Sequence, residues 1–350
     1  MTEDNEIFSL VEEKENELAK TSRQALIIQP GAMGDCILTL PLACFLKEKL
    51  DLGSVALMGN TEYTGFLPDR TYVNKIRSLE GSGIHRLFTT PSEFNIDDKD
   101  PLLTVLGPYT WIITFLGESG SDFEQNLIFA ANCNRSVEVA SIKLKADMNH
   151  TSHISQFYIN EICREMPWLE ATQINLSDKL ITVSHSDKIQ ATILLEQLGI
   201  SETRFAIIAP GSGSLAKCWP MENFIACADA IKNTGAECIF ILGPAEMERG
   251  NIDPSELEKF GAVLVGPELA KVAGLCSICS CFLGNDSGLS HLAGASGTKT
   301  IAIFGPTDPQ RYHPLGPNVR TIRFNNDDFA APNPEEQAVV INSILEILAN

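Results

Sequence analysis

The chain alternates short apolar runs with stretches whose apolar residues recur at helical spacing. ALIIQ (25–29) is apolar without alternation and is bounded by Pro-Gly, which predicts a strand covered on both faces. Residues 36–50 place Ile37, Leu38, Leu40, Leu42, Phe45, Leu46 and Leu50 at helical spacing, so a helix follows. SVALM (54–58) and WIITF (111–115) are the next strands. A second series begins after residue 200: RFAIIAP (204–210), a helix over 221–234, ECIFIL (237–242) and GAVLV (261–265). It continues with a helix over 268–280, CFLG (281–284), a helix over 287–297 and KTIAIF (299–304). Strand–helix–strand order implies parallel pairing with right-handed crossovers. Each half is therefore expected to be an open α/β sheet.

The boundary between the halves lies within 176–202, near a helix around 186–199. The division expected is an acidic helical extension at 1–23, one domain at 24–180, a second at 181–330 and a terminal helical segment at 331–350. Two open sheets turn the carboxyl ends of their strands toward a shared crevice, and ligands bind outside those ends.

Charge narrows the function classes. The 350 residues include 45 acidic and 26 basic side chains, a formal net charge of −19. That disfavours nucleic acid and broad adhesion to anionic lipid, both of which need cationic surface. No apolar run reaches the roughly 18 residues of a membrane span. The N-terminal stretch has neither the basic start nor the apolar core of a signal peptide, so a cytoplasmic protein is expected. Of ten cysteines, Cys36, Cys44, Cys227, Cys238 and Cys281 sit in apolar runs, where a thiol is a small hydrophobe. Cys276-Ser-Ile-Cys279 is a CxxC, but no second pair follows at zinc-binding spacing, so buried structural thiols and no metal are expected.

Four polar clusters fall at strand ends. PGAMGD (30–35) is not a dinucleotide fingerprint. Its Asp35 stands at a helix start, either as a carboxylate favoured by free N–H groups or as a group held for chemistry. PGSGSLAKCWP (210–220) offers Gly and Ser backbone donors before a helix, with Lys217 as a point charge, a pattern able to cradle phosphate. It is not a P-loop. GNDSGLSHLAGASG (284–297) opens a helix with Asp286-Ser287 and carries Ser290 and His291 in its first turns. FGPTDP (304–309) and GPAEMERG (243–250) end other strands, and Glu246 and Glu248 are placed to meet ribose hydroxyls.

Together, in this order and spacing, the four motifs resemble glycosyltransferase family 9, the ADP-heptose:lipopolysaccharide heptosyltransferases, over residues 24–325. The resemblance implies a GT-B fold, two Rossmann-like domains facing a central cleft. The N-terminal domain would bind acceptor and the C-terminal one a nucleotide-sugar donor, with the last helix crossing back to the N-terminal domain. It implies an inverting transfer without metal or cofactor, from an ADP-sugar, most simply ADP-heptose, to a lipopolysaccharide-core or related glycan or glycolipid acceptor. Asp35 matches the catalytic base. Ser212, Gly213, Ser214 and Lys217 match the diphosphate loop; Asp286, Ser287, Gly288 and His291 match the donor-site motif; Glu246 matches the ribose-binding acid. An acceptor hydroxyl needs its proton removed as it attacks, and the departing diphosphate needs cations, hydroxyls and helix N-termini.

Residues 1–180 carry 15 basic and 26 acidic residues, against the basic surface that an anionic lipid acceptor favours. Within them Arg70, Lys75, Arg77 and Arg86, beside His85, form a local basic stretch expected to bind acceptor carboxylates or phosphates. Membrane contact is expected to be peripheral at most, on the inner face of the inner membrane. Two other readings fit the same scaffold: a nucleotide-sugar epimerase, and a non-catalytic nucleotide- or sugar-binding protein.

Overall fold

The structure is a computed structural model that describes residues 23–147, 149–200, 204–250, 252–324, 329 and 331–349. The acidic N-terminal extension expected from the sequence lies outside the described residues, apart from Arg23. The chain divides into two compact units. Of the described residues, the first holds those up to Ala32, within Thr39–His150 and Ser155–Ile174; the second holds Met33–Leu38, Thr151–Ile154 and those from Asn175 onward.

The apolar run at 25–29 becomes β1 (Gln24–Ile28), in the middle of the first sheet. After it the chain forms α1 (Met33–Leu38) and α2 (Leu40–Lys49), where one helix was expected over 36–50. Pro41 explains the break: it has no N–H to give the Ile37 carbonyl, and its ring clashes with that turn, yet it suits the start of α2. Thr39 sits at the junction and accepts a hydrogen bond from Gln29 Nε2 at 2.9 Å.

β2 (Ser54–Gly59), β3 (Lys75–Ser78), β4 (Trp111–Thr114) and β5 (Glu138–Ser141) complete a parallel sheet in the order β3-β2-β1-β4-β5. Its register pairs Leu26 with Ala56 on one side and Ile112 on the other. Leu26, Ile28 and Ile112 pack with Phe123 and Leu127 of α3 (Asp122–Ala131) in one core. The helix α4 (Ile154–Glu165) follows.

The second unit begins with α5 (His185–Gln197), whose start is fixed by a reciprocal pair: Ser184 Oγ accepts from the Asp187 N–H while the Asp187 carboxylate accepts from the Ser184 N–H. Then come β6 (Phe205–Ala209), α6 (Met221–Lys232), β7 (Glu237–Leu242), α7 (Pro244–Arg249), β8 (Ala262–Val265), α8 (Leu269–Ile278), β9 (Cys281–Asn285), α9 (Gly288–Ala295), β10 (Thr300–Phe304), β11 (Val319–Arg323) and α10 (Pro334–Ala349). The sheet is parallel, in the order β11-β10-β9-β6-β7-β8. This is the doubly wound dinucleotide-fold order, with its reversal between β6 and β9.

The last helix corrects an expectation. Val340, Ile344 and Leu348, four residues apart, share one face of α10 and pack into the second unit's core with Phe224, Cys227 and Ile231 of α6. Trp219 Nε1 donates to Glu336 Oε2 at 2.9 Å, Gln337 Nε2 to Asn223 Oδ1 at 2.7 Å and Arg204 Nη2 to the Leu348 carbonyl at 2.6 Å. The apolar face of this helix is spent on its own unit, where the resemblance implied a helix crossing back to the first.

All ten cysteines are free thiols, and Cys36, Cys227, Cys238, Cys276 and Cys281 are buried. Burial, first of all, pushes Cys227 and Cys276 up to about 12, so they serve as packing groups rather than nucleophiles.

Candidate active site

The strand order sets the site. β6 leads off to β7 on one side and β9 to β10 on the other, so the loops after β6 and β9 lie side by side at the carboxyl edge. These are the second and third clusters read from the sequence. Asn285, fully buried at the end of β9, clasps the first loop at both ends. Its Nδ2 donates to the Pro210 carbonyl at 2.6 Å, and its Oδ1 accepts from the Trp219 N–H at 3.0 Å. Ser212 Oγ donates to the Asp286 carbonyl at 2.8 Å, and Arg249 Nη2 donates to the Ser212 carbonyl at 2.7 Å. Between these anchors Gly213 and Ser214 form an exposed tip.

Asp286 is the electrostatic centre. Its side chain is buried, yet its Oδ2 accepts from Lys217 Nζ at 2.8 Å and from Thr307 Oγ1 at 2.6 Å. His291 Nε2 lies 3.8 Å from its other oxygen. Burial by itself favours the neutral acid; His291 and Lys217 outweigh it and hold the carboxyl well below the usual carboxylate range. Asp286 is therefore a fixed anion that aims a lysine and an imidazole.

Two polar atoms beside it lack partners. Ser287 precedes α9 with extended backbone (φ −151°, ψ 162°), but its hydroxyl makes no capping bond. Ser287 Oγ and His291 Nδ1 are both buried with no hydrogen-bond partner. Buried polar groups are nearly always satisfied, so two orphans within one turn call for a ligand.

The first cluster joins the third through two glycines. A Cβ on Gly288 would stand 2.9 Å from Met33 Cβ, and a Cβ on Gly34 would stand 3.0 Å from His291 Cδ2. Without those side chains α1 and α9 approach closely, which puts half-buried Asp35, in the first turn of α1, one residue from the His291 contact. Thus Asp35, Lys217, Asp286, Ser287, Gly288 and His291 all belong to the second unit.

Glu246 is placed differently from expectation. It is buried, with Oε2 accepting from the Gly243 N–H at 2.7 Å to cap α7, and its carboxyl lies against Gly211, where any Cβ would come within 2.0 Å of it. Helix capping occupies one of its oxygens. Glu248 is exposed.

The basic stretch of the first unit is mostly architecture. Arg86 Nη1 meets the Asp100 carboxylate at 2.8 Å, and its Nη2 donates to the Asn95 carbonyl at 2.8 Å; Asp100 in turn caps the helix Pro101–Leu106. Arg70 Nη1 donates to the Phe66 carbonyl at 2.9 Å. Arg77 Nε donates to Tyr109 Oη at 3.2 Å and Lys75 Nζ to Gln24 Oε1 at 3.4 Å. Lys75 and Arg77, on β3, are exposed. The expectation of Arg86 as an acceptor ligand is corrected: the carboxylate it serves is this chain's own.

Asn285, Thr307, Arg249 and Gly211 were not singled out from the sequence. Asn285 has a signal in hindsight, an amide just before Asp-Ser at the end of an apolar strand; the others become meaningful only through contacts 21 or more residues away. Among the described residues, no group of three or more His, Cys, Asp or Glu side chains could hold a metal ion.

Comparison with known proteins points to one family. The model of glycosyltransferase family 9 (heptosyltransferase) matches residues 166–339. The chain is 25% identical over 129 residues to lipopolysaccharide heptosyltransferase 3 of Escherichia coli, covering 36% of this chain and 37% of that one. It is 32% identical over 115 residues to lipooligosaccharide heptosyltransferase 2 of Haemophilus influenzae, covering 31% and 33%. The matched stretches thus span about a third of the curated relatives' length. Among solved structures, a family 9 glycosyltransferase of Veillonella parvula superposes with TM-score 0.69 at 17% identity, over 94% of this chain and 98% of that one. The ADP-heptose lipopolysaccharide heptosyltransferase II of Escherichia coli superposes with TM-score 0.69 at 18% identity, over 93% and 98%. With two parallel α/β units in the GT-B fold and the polar clusters gathered in the second, residues 166–339 of this chain form a glycosyltransferase family 9 domain.

Proposed function

We propose that this chain is an inverting glycosyltransferase that moves a heptosyl group from ADP-heptose to a hydroxyl of a lipopolysaccharide-core acceptor. The observation that carries the proposal is the buried Asp286 holding Lys217, with Ser287 Oγ and His291 Nδ1 orphaned beside it. That set suits a diphosphate: Lys217 is a third exposed and free to turn toward an anion, while the start of α9 presents backbone N–H groups. The named ligands of relatives support the donor: an Escherichia coli heptosyltransferase has been solved with ADP, and another structure of it holds ADP-2-deoxy-2-fluoro heptose.

In the proposed reaction, Asp35 takes the proton of the acceptor hydroxyl as its oxygen bonds to the anomeric carbon. The bond from that carbon to the diphosphate breaks, and the electron pair leaves with ADP. Lys217, together with the N-terminus of α9, stabilises the charge that grows on the leaving group. What supports Asp35 is its place beside the Gly34–His291 contact. The exposed cations Lys75 and Arg77 remain candidates for the acceptor's anionic groups. Among the described residues no helix is long and apolar enough to cross a membrane, and we propose peripheral contact with the inner face of the inner membrane, where a glycolipid acceptor is met.

The test is transfer itself. Purified protein given ADP-heptose and heptose-free core glycolipid releases ADP and lengthens the acceptor. Asp35→Ala lowers turnover by roughly 10²- to 10⁴-fold while ADP affinity stays within a few-fold. Equal loss of both would remove Asp35 as the base. No transfer by the wild-type protein to any core acceptor would overturn the proposal.

A further inference from the structure

The second unit has a cavity of about 590 Å³ at the edge of its sheet opposite the loops just described. It is lined where β6, β9, β10 and β11 begin, whereas the candidate active site lies where β6 and β9 end. Its charged lining residues are Lys179, Lys188, Arg204 and Lys299, with no carboxylate among the described residues that line it. The chain as a whole carries a net charge of −19, so this cavity is locally opposite in sign to the protein around it.

The cations have an ordinary duty to weigh first. α8, α9 and α10 end at this cavity, and their terminal carbonyls favour nearby positive charge. Three helix ends amount to about one and a half negative charges, so four cations leave a surplus of about two or more. The surplus is not spent elsewhere. Among the described residues none of the four forms an ion pair, and Arg204 gives one N–H to the Leu348 carbonyl at 2.6 Å. The stem of Lys179 lies over Gly297, with Cδ 3.4 Å from where a Cβ would be, so this lysine is held at the cavity.

A second observation is independent of charge. Ser296, which follows α9 and lines the cavity, is 3% exposed, and its hydroxyl is buried with no hydrogen-bond partner. A buried hydroxyl left unpaired beside surplus positive charge is a donor waiting for an acceptor.

We infer that this cavity is a second binding site, for a small molecule bearing two or more phosphate charges. Its volume falls in the range of ligand pockets and exceeds what one inorganic phosphate fills. Phosphate oxygens accept from the lysines, the guanidinium and the Ser296 hydroxyl together, which a carboxylate with two oxygens does not. The inference stands whether or not the chain transfers heptose.

Inorganic pyrophosphate is the probe, titrated calorimetrically into the full chain at physiological ionic strength, where loose surface binding is screened. Because a diphosphate also suits the Lys217 loop, the variant Lys217→Ala isolates the second site. Lys217→Ala is expected to keep one class of pyrophosphate sites. Adding Lys188→Gln and Lys299→Gln weakens that class at least tenfold, and Ser296→Ala weakens it severalfold. Both lysines are exposed, so unliganded melting curves of these variants should match the parent and exclude misfolding. On the wild-type background, Lys188→Gln with Lys299→Gln leaves unchanged the class of ADP binding that Lys217→Ala removes. The inference fails if Lys217→Ala abolishes all pyrophosphate binding, or if the lysine changes leave the remaining class unaltered. It also fails if the cavity lysines engage phosphatidylglycerol vesicles but not pyrophosphate, which would make the ligand a membrane surface.

Discussion

Gly34 lies against the ring of His291, with room for a hydrogen but not for a methyl group: a Cβ at Gly34 would stand 3.0 Å from His291 Cδ2. The contact ties α1 to the histidine beside Asp286. Gly34→Ala forces the ring to shift by a few tenths of an ångström, and the ring has little room, since His291 is buried. Overpacking of this kind costs roughly 1–3 kcal/mol. Because misplacement is felt strongly in catalysis, turnover should fall by about 10- to 100-fold, more than stability does. Steady-state kinetics beside a urea titration measures both; loss of stability with full turnover would show that the contact serves packing only.

Asn285 should matter as much as any charged residue of the site, although it has no chemistry of its own. Asn285→Ala strips the Pro210 carbonyl and the Trp219 N–H of buried partners, at roughly 1–3 kcal/mol each. The variant is expected to unfold at clearly lower urea concentration and to bind ADP weakly, because the Lys217 loop loses both anchors. Unchanged ADP affinity would mean that the loop is held without it.

The acid limb of stability should belong to histidine rather than to Asp286. His153 is buried; that burial first, then the neighbouring charges of His313 and His291, lowers it to about 3, and its Nε2–H donates to the His313 carbonyl at 3.0 Å. The unfolded chain takes up this proton near pH 6.5 and the native one does not, so stability falls as pH drops from about 6.5 toward 3. Asp286, held below its ordinary value, contributes fully above about pH 4 and loses its contribution only below that. Urea midpoints from pH 8 to 4 should therefore fall less steeply for His153→Gln than for wild type. The gap between wild type and Asp286→Asn should stay constant down to about pH 5; a gap that closes between pH 7 and 5 would contradict the assignment.

Arg86→Ala should behave as a structural change. It leaves the buried Asp100 carboxylate with only its helix-capping bond to Leu102 N–H. The arginine is about a third exposed, so water screens part of the loss, and about 1 kcal/mol, a few degrees of melting temperature, is expected. Acceptor KM should not change. If KM rises at unchanged stability, Arg86 touches the acceptor after all.

The central strands were legible because burial on both faces leaves continuous apolar runs: FAIIA, ECIFIL and TIAIF stand out in the sequence and are buried almost throughout. Edge strands were less so: GAVLV was read, and others were missed. KIRS and VRTIR are largely exposed and are paired on one side only, so neither an apolar run nor a clean alternation marks them. The site was legible where chemistry repeats at strand ends, as in Asp286-Ser287-Gly288 and Lys217. It was illegible where a role depends on a distant contact. Nothing local says that Asn285 clamps a loop 66 residues earlier, that Glu246 has a glycine against it, or which core the apolar face of α10 will meet. Arg86 misled for the same reason: its carboxylate partner is 14 residues away.

The six residues Met33–Leu38 fold with the second unit although the chain on both sides of them belongs to the first. Gene shuffling would therefore respect the wrong seam if it followed sequence order. A second unit cut out at residue 175 arrives without Met33, Gly34 and Asp35, and α9 loses the segment it packs against. On the proposed reaction, in which Asp35 activates the acceptor, this short segment carries that competence along with the unit that holds Lys217 and Asp286. Hybrids should be active only when that segment travels with the half it packs against.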